Sequence, residues 1–189
     1  MHIETFDTEG VLVIANTNKL KRHFADKPFD YAYPEGLKDL IVQGIIHIIT
    51  TEETVENLNF VSEREQIDPE SWEYNESCNF ISVDAGDEIR LISHSDFTRI
   101  CDQYQGDHIA YIESRYGLRK LMQPELETDK AAFMNELPEI SLQAGLNKVN
   151  VYSNKAMNPN LLVEFMFLFE VVDSMDLENI TTEPLEIYG

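Results

Sequence analysis

Val11-Leu12-Val13-Ile14 is a short, fully apolar run, the pattern of a buried strand, and Ile45-Ile46-His47-Ile48-Ile49-Thr50-Thr51 reads as a second strand. Val55-Glu56-Asn57-Leu58-Asn59-Phe60-Val61 alternates instead, as a half-exposed strand does. Only the Glu52-Glu53 turn separates it from the run before, so the two segments predict a hairpin. Phe80-Ile81-Ser82-Val83 and Ile89-Arg90-Leu91-Ile92, with Gly86 between them, predict a second. Residues 108–113 read as a further strand, and residues 149–152 as the last clear one.

Helices are expected where the apolar period lengthens. An Asn or Thr of the turn Ala15-Asn16-Thr17-Asn18 caps a helix over residues 19–24. Leu37, Leu40 and Ile41 share a face of a helix opened by Pro34 and closed by Gly44. Ser93-His94-Ser95-Asp96 opens another, with Phe97, Ile100, Cys101 and Tyr104 on one side and Gly106 as its stop. Residues 115–143 are mixed, with helical material around 128–137 ended by Pro138. Pro159 opens a segment whose residues 161–172 are apolar almost all round, a buried helix or a buried strand. The tail after Asp176 reads as loop or sheet edge.

Three segments, starting at Val11, Ile89 and Val149, each run from strand through a small residue to a polar capping residue. Their spacings are unequal, and any strand-to-helix junction favours these residue types, so no duplication is inferred. The pattern as a whole predicts an α+β fold. Its mainly antiparallel sheet has about five to seven strands, with helices packed on one face. The hairpin-like pairs argue against a doubly wound parallel sheet. With 43% hydrophobic and 10% aromatic residues, residues 1–189 carry core enough for a single globular domain.

Charge changes the picture most. Thirty-five acids face fourteen bases, a net charge of −21, and no base follows Lys155. Such a surface repels nucleic acid and anionic membranes and attracts cationic partners. The longest apolar runs, residues 45–49 and 165–169, fall far short of the roughly 20 residues that cross a bilayer. The N-terminal residues lack the pattern of a signal peptide, so a cytoplasmic, bacterial protein is expected. Cys78 and Cys101 are expected as free thiols, a disulfide between them belonging to an oxidising compartment. Crowded carboxylates raise one another's pKa, which predicts stability rising from pH 8 towards roughly pH 5.5 at low salt.

Reactive side chains are densest at Ser93, His94, Ser95 and Asp96, with Cys101, Asp102, Asp107 and His108 downstream. A helix cap and a polar turn account for them, and no nucleophile elbow is present. Neither these residues nor the acids Glu63, Glu65, Asp68 and Glu70 follow a metal-ligand spacing. Phosphate-cradling glycine motifs are absent, so neither cofactor nor metal is expected. His47, between isoleucines, reads as a satisfied strand histidine.

The expectation is a non-enzymatic acidic binding protein, an inhibitor of immunity or antitoxin type that neutralises a basic partner such as a toxin. Its contact residues are Glu63, Glu65, Glu70, Trp72, Glu73 and Tyr74, which join charge to aromatic anchors in the acid-rich loop 62–76. One alternative is a small hydrolase-like enzyme using His94 or His108 with nearby carboxylates. Another is a self-assembling subunit held through residues 161–172. A monomer or a homodimer fits the first reading.

Overall fold

The fold is built around an antiparallel pair of strands, β2 (Val11–Asn16) and β7 (Ile89–Ser93), whose registered centre is Ile14 opposite Leu91. This computed structural model describes residues 1–30, 32, 35–75, 79–125, 129–155, 164–176, 180–181 and 185–186. Strand β3 (Ile46–Thr50) pairs with β2, and β8 (Glu139–Ile140) pairs with β7. A short strand, Leu185–Glu186, adds parallel to β3 and completes a five-stranded sheet among the described residues.

A six-stranded sheet lies against it. Its strands are β1 (His2–Asp7), β4 (Thr54–Val61), β5 (Trp72–Asn75), β6 (Phe80–Val83), β9 (Gly145–Asn154) and β10 (Glu164–Val172). The order is β1-β4-β10-β9-β5, with β6 beside β9 as well. The apolar core between the sheets takes Leu12, Ile14, Ile49 and Leu91 from one and Leu58, Phe60, Val151, Phe165 and Phe167 from the other. Burying each such side chain contributes about 1.5–3 kcal/mol.

The other face of the five-stranded sheet carries the helices α1 (Thr17–Phe24), α2 (Lys38–Val42), α3 (His94–Gln103), α4 (His108–Met122) and α5 (Lys130–Met134). They bury Leu20, Leu40, Phe97, Ile100, Tyr111, Ile112 and Phe133 against Val13, Ala15, Ile46, Ile48 and Ile92. The α+β expectation is borne out, with helices on one side. The strands form two stacked sheets rather than one.

Neither predicted hairpin forms. β3 belongs to the five-stranded sheet and β4 to the six-stranded one, and β6 and β7 are divided in the same way. The cause is visible in the pattern itself. β3 is buried on both faces, because helices cover one and a sheet the other, whereas β4 has one open face. The chain therefore crosses between layers at residues 51–53. There Thr8 and Thr51 are buried, their hydroxyls 2.8 Å apart, and Thr8 N–H donates to Glu53 C=O at 2.8 Å. Those bonds satisfy the backbone where neither sheet can.

The strand expected at residues 108–113 is the start of α4. Asp107 caps it, accepting from the N–H groups of Ile109 and Ala110. Tyr111 and Ile112 face the core while Ile109 and Glu113 face solvent, a helical division that a six-residue window cannot resolve. For residues 164–172 the open choice resolves to strand. β10 lies between β4, parallel, and β9, antiparallel. Phe165, Phe167 and Phe169 point into the core; residues 161–163 lie outside the described residues.

The recurring junction has a geometric basis in two of its three copies. Asn16 caps α1 and Ser93 caps α3. Stepping from Asn16 to Ser93 along the chain also carries Ile14 onto Leu91, its own partner across the strand pair. Around that point both halves pair alike: β1 with β4 and β2 with β3, then β6 with β9 and β7 with β8. The two halves thus share one strand-and-helix plan about a local two-fold axis, which the unequal spacings obscured. The third copy lies on β9, and the residues that follow it lie outside the described set.

Candidate functional site

The acid-rich segment of residues 62–75 crosses one end of the outer sheet and finishes as its edge strand, β5. It was expected as a loop throughout, yet it contains a 3₁₀ turn at Arg64–Gln66 and a strand at Trp72–Asn75. Glu63 opens the turn with a capping box to Gln66. Asp68 accepts from the Ser71 hydroxyl at 2.6 Å and from Glu70 N–H at 3.0 Å. Those bonds, led by that from Ser71, hold its carboxyl below the usual range. Lys155 ties the segment down from β9's end, with Nζ donating to Pro69 C=O at 2.7 Å and its N–H to Ser71 C=O at 2.9 Å.

The aromatics anchor the strand. Trp72 is half-buried against Tyr152, Met166 and Leu168, together with Val61 and Ile67. Tyr74 is 47% exposed, its ring 5.2 Å from that of Tyr152. Its hydroxyl donates to Asn150 Oδ1 at 3.3 Å, and Asn150 Nδ2 donates on to Glu170 at 2.8 Å. Glu63, Glu65, Glu70 and Glu73 are all exposed. None of them takes part in an ion pair among the described residues. The six residues expected as contacts therefore lie along one braced segment, with Trp72 and Tyr74 on the outer face of β5 and Glu73 turned to its other face.

The other candidate residues are placed differently. His94 begins α3, exposed, beside an apolar cavity of about 60 Å³ shared with Val11, Phe29, Ile48 and Phe97. That volume holds a water or two. His108 is buried under the first turn of α4, with Nε2 3.2 Å from a Glu88 carboxylate oxygen. Burial lowers its pKa, against the pull of Glu88. Glu88 in turn joins Arg90, whose guanidinium lies 3.1 Å from Glu88 and 3.0 Å from Glu139 and donates to Leu137 C=O at 3.0 Å. These groups form a charged cluster under α4, and the cavity that His94 borders is not lined by His108 among the described residues. Cys101 is buried and free, and burial pushes its thiol far up, away from nucleophilic chemistry. Cys78 lies outside the described residues.

A cleft of about 450 Å³ opens between the sheets, where β9 and β10 outrun the short β8. Phe60, Leu142, Phe169, Val171 and the buried Asn147 line it. Glu139 and Glu170 also border it, but their carboxylates bond Arg90 and Asn150 on the opposite faces of their strands. Among the described residues no group of three or more acids, histidines or cysteines is placed to hold a metal ion. No described helix is long and apolar enough to cross a membrane.

Two features escaped sequence reasoning. One is the Glu88–Arg90–Glu139–His108 cluster, whose only trace was an arginine inside an apolar strand run. The other is the chain of hydrogen bonds from Tyr74 through Asn150 to Glu170, hinted at by the asparagines of β9, a residue type depleted in strands. His47 also differs from expectation: it is buried between the sheets, but neither ring nitrogen has a hydrogen-bond partner among the described residues. The chain matches no known protein family model, no curated protein and no solved structure.

Proposed function

We propose that this protein is a non-enzymatic binding module that captures a basic protein partner through the strip Glu63, Glu65, Glu70, Trp72, Glu73 and Tyr74. An inhibitor of immunity or antitoxin type, acting in the bacterial cytoplasm on a basic toxin, is the concrete form of this reading. The observation that carries it is the exposed charge of the strip: its four glutamates are exposed and form no ion pair among the described residues, on a segment braced by Lys155 and Tyr152. Preorganised carboxylates lose little freedom on binding, and an exposed tyrosine beside them supplies an apolar anchor. The net charge of −21 adds long-range steering towards cationic surfaces.

The test uses immobilised proteins of pI above about 9 and follows association by surface plasmon resonance over a salt series. The full chain is compared with a variant carrying Glu63→Gln, Glu65→Gln, Glu70→Gln and Glu73→Gln. The expected result is a roughly 10- to 100-fold slower association for the variant at low salt, a gap that closes as salt rises. Equal rates for the two chains at every salt concentration would remove the strip from the reading.

A further inference from the structure

The cleft between the sheets opens where β9 and β10 run past the short β8. Strand alternation places its walls. On β9, Asn147 shares a face with the core residues Val149 and Val151. On β10, Val171 follows Phe165, Phe167 and Phe169 along the core face and stands directly opposite Asn147 across the strand pair. Phe60 joins them from β4, its ring 6.3 Å from that of Phe169 and 15° from parallel. Ile140 and Leu142, members of the same core, line the cleft from the β8 side. These six side chains border one space of about 450 Å³, within the roughly 300–1,000 Å³ of small-molecule pockets. The core face is uncovered at this end: Val171 lies on it and is 50% exposed.

Asn147 gives the cleft its chemistry. It is 1% exposed, and it sits between Val171 of β10 and Ile81 of β6, where a core strand face otherwise carries apolar residues. Its Nδ2 donates to Gln143 C=O at 2.8 Å and to Gly145 C=O at 3.2 Å. Both amide hydrogens are thereby engaged, which fixes the orientation of the side chain. Oδ1 accepts no hydrogen bond from a described residue. A buried acceptor left unpaired costs stability, and a donor entering the cleft recovers that cost.

Charge narrows the choice of ligand. No Lys or Arg is among the described residues that line the cleft, and the Met1 ammonium is held on Phe60 C=O at 2.9 Å. An anion would enter against the field of a chain of net charge −21. We infer that this cleft binds a small, neutral aromatic molecule with an N–H or O–H donor on its ring. The ring packs against Phe169, Leu142 and Val171, and the donor bonds Asn147 Oδ1. The site shares no residue with the acidic strip Glu63, Glu65, Glu70, Trp72, Glu73 and Tyr74 and does not depend on it.

Three probes test the site, titrated into the isotope-labelled full chain and followed by heteronuclear NMR: indole, 1-methylindole and indole-3-acetate. Indole is expected to bind with a dissociation constant of roughly 0.1–1 mM, shifting signals of residues 140–143, 147 and 169–171. 1-Methylindole keeps the ring but loses the donor, and should bind at least about tenfold more weakly. Indole-3-acetate keeps both and adds a negative charge; it should bind more weakly than indole at low salt, by a margin that narrows as salt rises. Val171→Trp fills the cleft from an exposed position, so it should abolish indole binding with the melting temperature unchanged. In Asn147→Leu indole and 1-methylindole should bind alike; the comparison of the two within the wild-type chain stands even where that variant unfolds. Absence of any shift up to about 5 mM indole overturns the inference. Equal affinity of the wild type for indole and 1-methylindole overturns it too, as does indole binding that survives Val171→Trp.

Discussion

The charges of the helical side and those of the outer strip are opposites in how they are used. On the helical side many acids are engaged by bases: Asp84 and Asp87 with Arg22, Asp107 with Lys21, Glu88 and Glu139 with Arg90, Asp96 and Glu136 with Arg115. The strip keeps its glutamates exposed and unpaired, and its hydrogen bonds brace the backbone instead. Charge that is paired and half-buried stabilises the fold, whereas exposed, unpaired charge costs a little stability and remains available to a partner. The difference teaches that net charge alone says little about function; where the unpaired share sits says more.

The comparison breaks most visibly at Arg90, which is only 9% exposed and bonds two carboxylates and a backbone carbonyl. Arg90→Ala lets the half-exposed carboxylates of Glu88 and Glu139 rehydrate but strips the Leu137 carbonyl of its donor and empties a buried site, and should lower the unfolding free energy by about 2–3 kcal/mol in urea titration. A loss under about 1 kcal/mol would make the cluster incidental and void the contrast with the strip.

Next comes pH. His47 is 1% exposed with no partner for either nitrogen, and burial lowers its pKa to about 4. The unfolded chain takes up a proton there near pH 6.5, which the folded chain refuses until about pH 4. Stability is therefore lost as pH falls between those values, by about 3 kcal/mol for this one group. Burial depresses His108 and His23 in the same sense. The carboxylates whose pKa moves, Glu9, Asp68, Glu88 and Asp107, are all lowered. For Glu9 and Asp68 hydrogen bonds from Ser95 and Ser71 lead; for Glu88 and Asp107 burial works upward and is outweighed by Arg90 and Lys21. These shifts predict a fall in stability where acid crowding predicts a rise towards pH 5.5. Urea midpoints at pH 7.5, 5.5 and 4.5 should decline in order, and His47→Leu should flatten that decline and stabilise the protein at neutral pH. A midpoint that climbs on acidification would restore the crowding argument.

Much of the local structure was legible in the sequence, and the way its pieces assemble was less so. The β2–α1 and β7–α3 junctions were readable because a cap is a local device: Asn16 accepts from Lys19 N–H and Ser93 from Asp96 N–H within one turn. Pairing was misread because it is decided by which faces are covered, and the short turn at Glu52-Glu53 outweighed the difference between a doubly buried run and an alternating one. α4 was missed because residues 109–112 form a short apolar run, over a window too short to separate strand from helix. The strip's residues were singled out from composition alone, but the bracing of their segment by Lys155, Asn150 and Tyr152 depends on β9, some eighty residues away, and left no local trace. The plan shared by the two halves was hidden by an inserted helix and unequal loops.

Asn16 gives a smaller effect than Arg90 or His47. It is fully buried, and its side chain accepts from Lys19 N–H at 3.0 Å while donating to Ser82 C=O at 2.8 Å and to Asp87 at 2.6 Å. Asn16→Ala removes a cap and leaves those groups unsatisfied, at a cost of about 2 kcal/mol. Ser93→Ala, with its bonds to Asp96 N–H and Glu9, should cost about 1 kcal/mol. Equal losses at the two sites would mean that the cap alone matters and that the buried polar partners of Asn16 contribute nothing.

The smallest effect is the most telling for the comparison. Replacing Glu63, Glu65, Glu70 and Glu73 together by Gln removes four charges yet breaks no ion pair, and it keeps the side-chain volume and the hydrogen-bonding oxygens. Relief of like-charge repulsion at an exposed surface is worth a few tenths of a kcal/mol, so unfolding free energy should stay within about 0.5 kcal/mol of the wild type or rise slightly. Four carboxylates removed here should therefore change stability less than the single cation Arg90 removed on the other side, while slowing association with basic proteins. A loss above about 1 kcal/mol in thermal or urea unfolding would show that these glutamates hold the strip together, and that their charge serves the fold before it serves any partner.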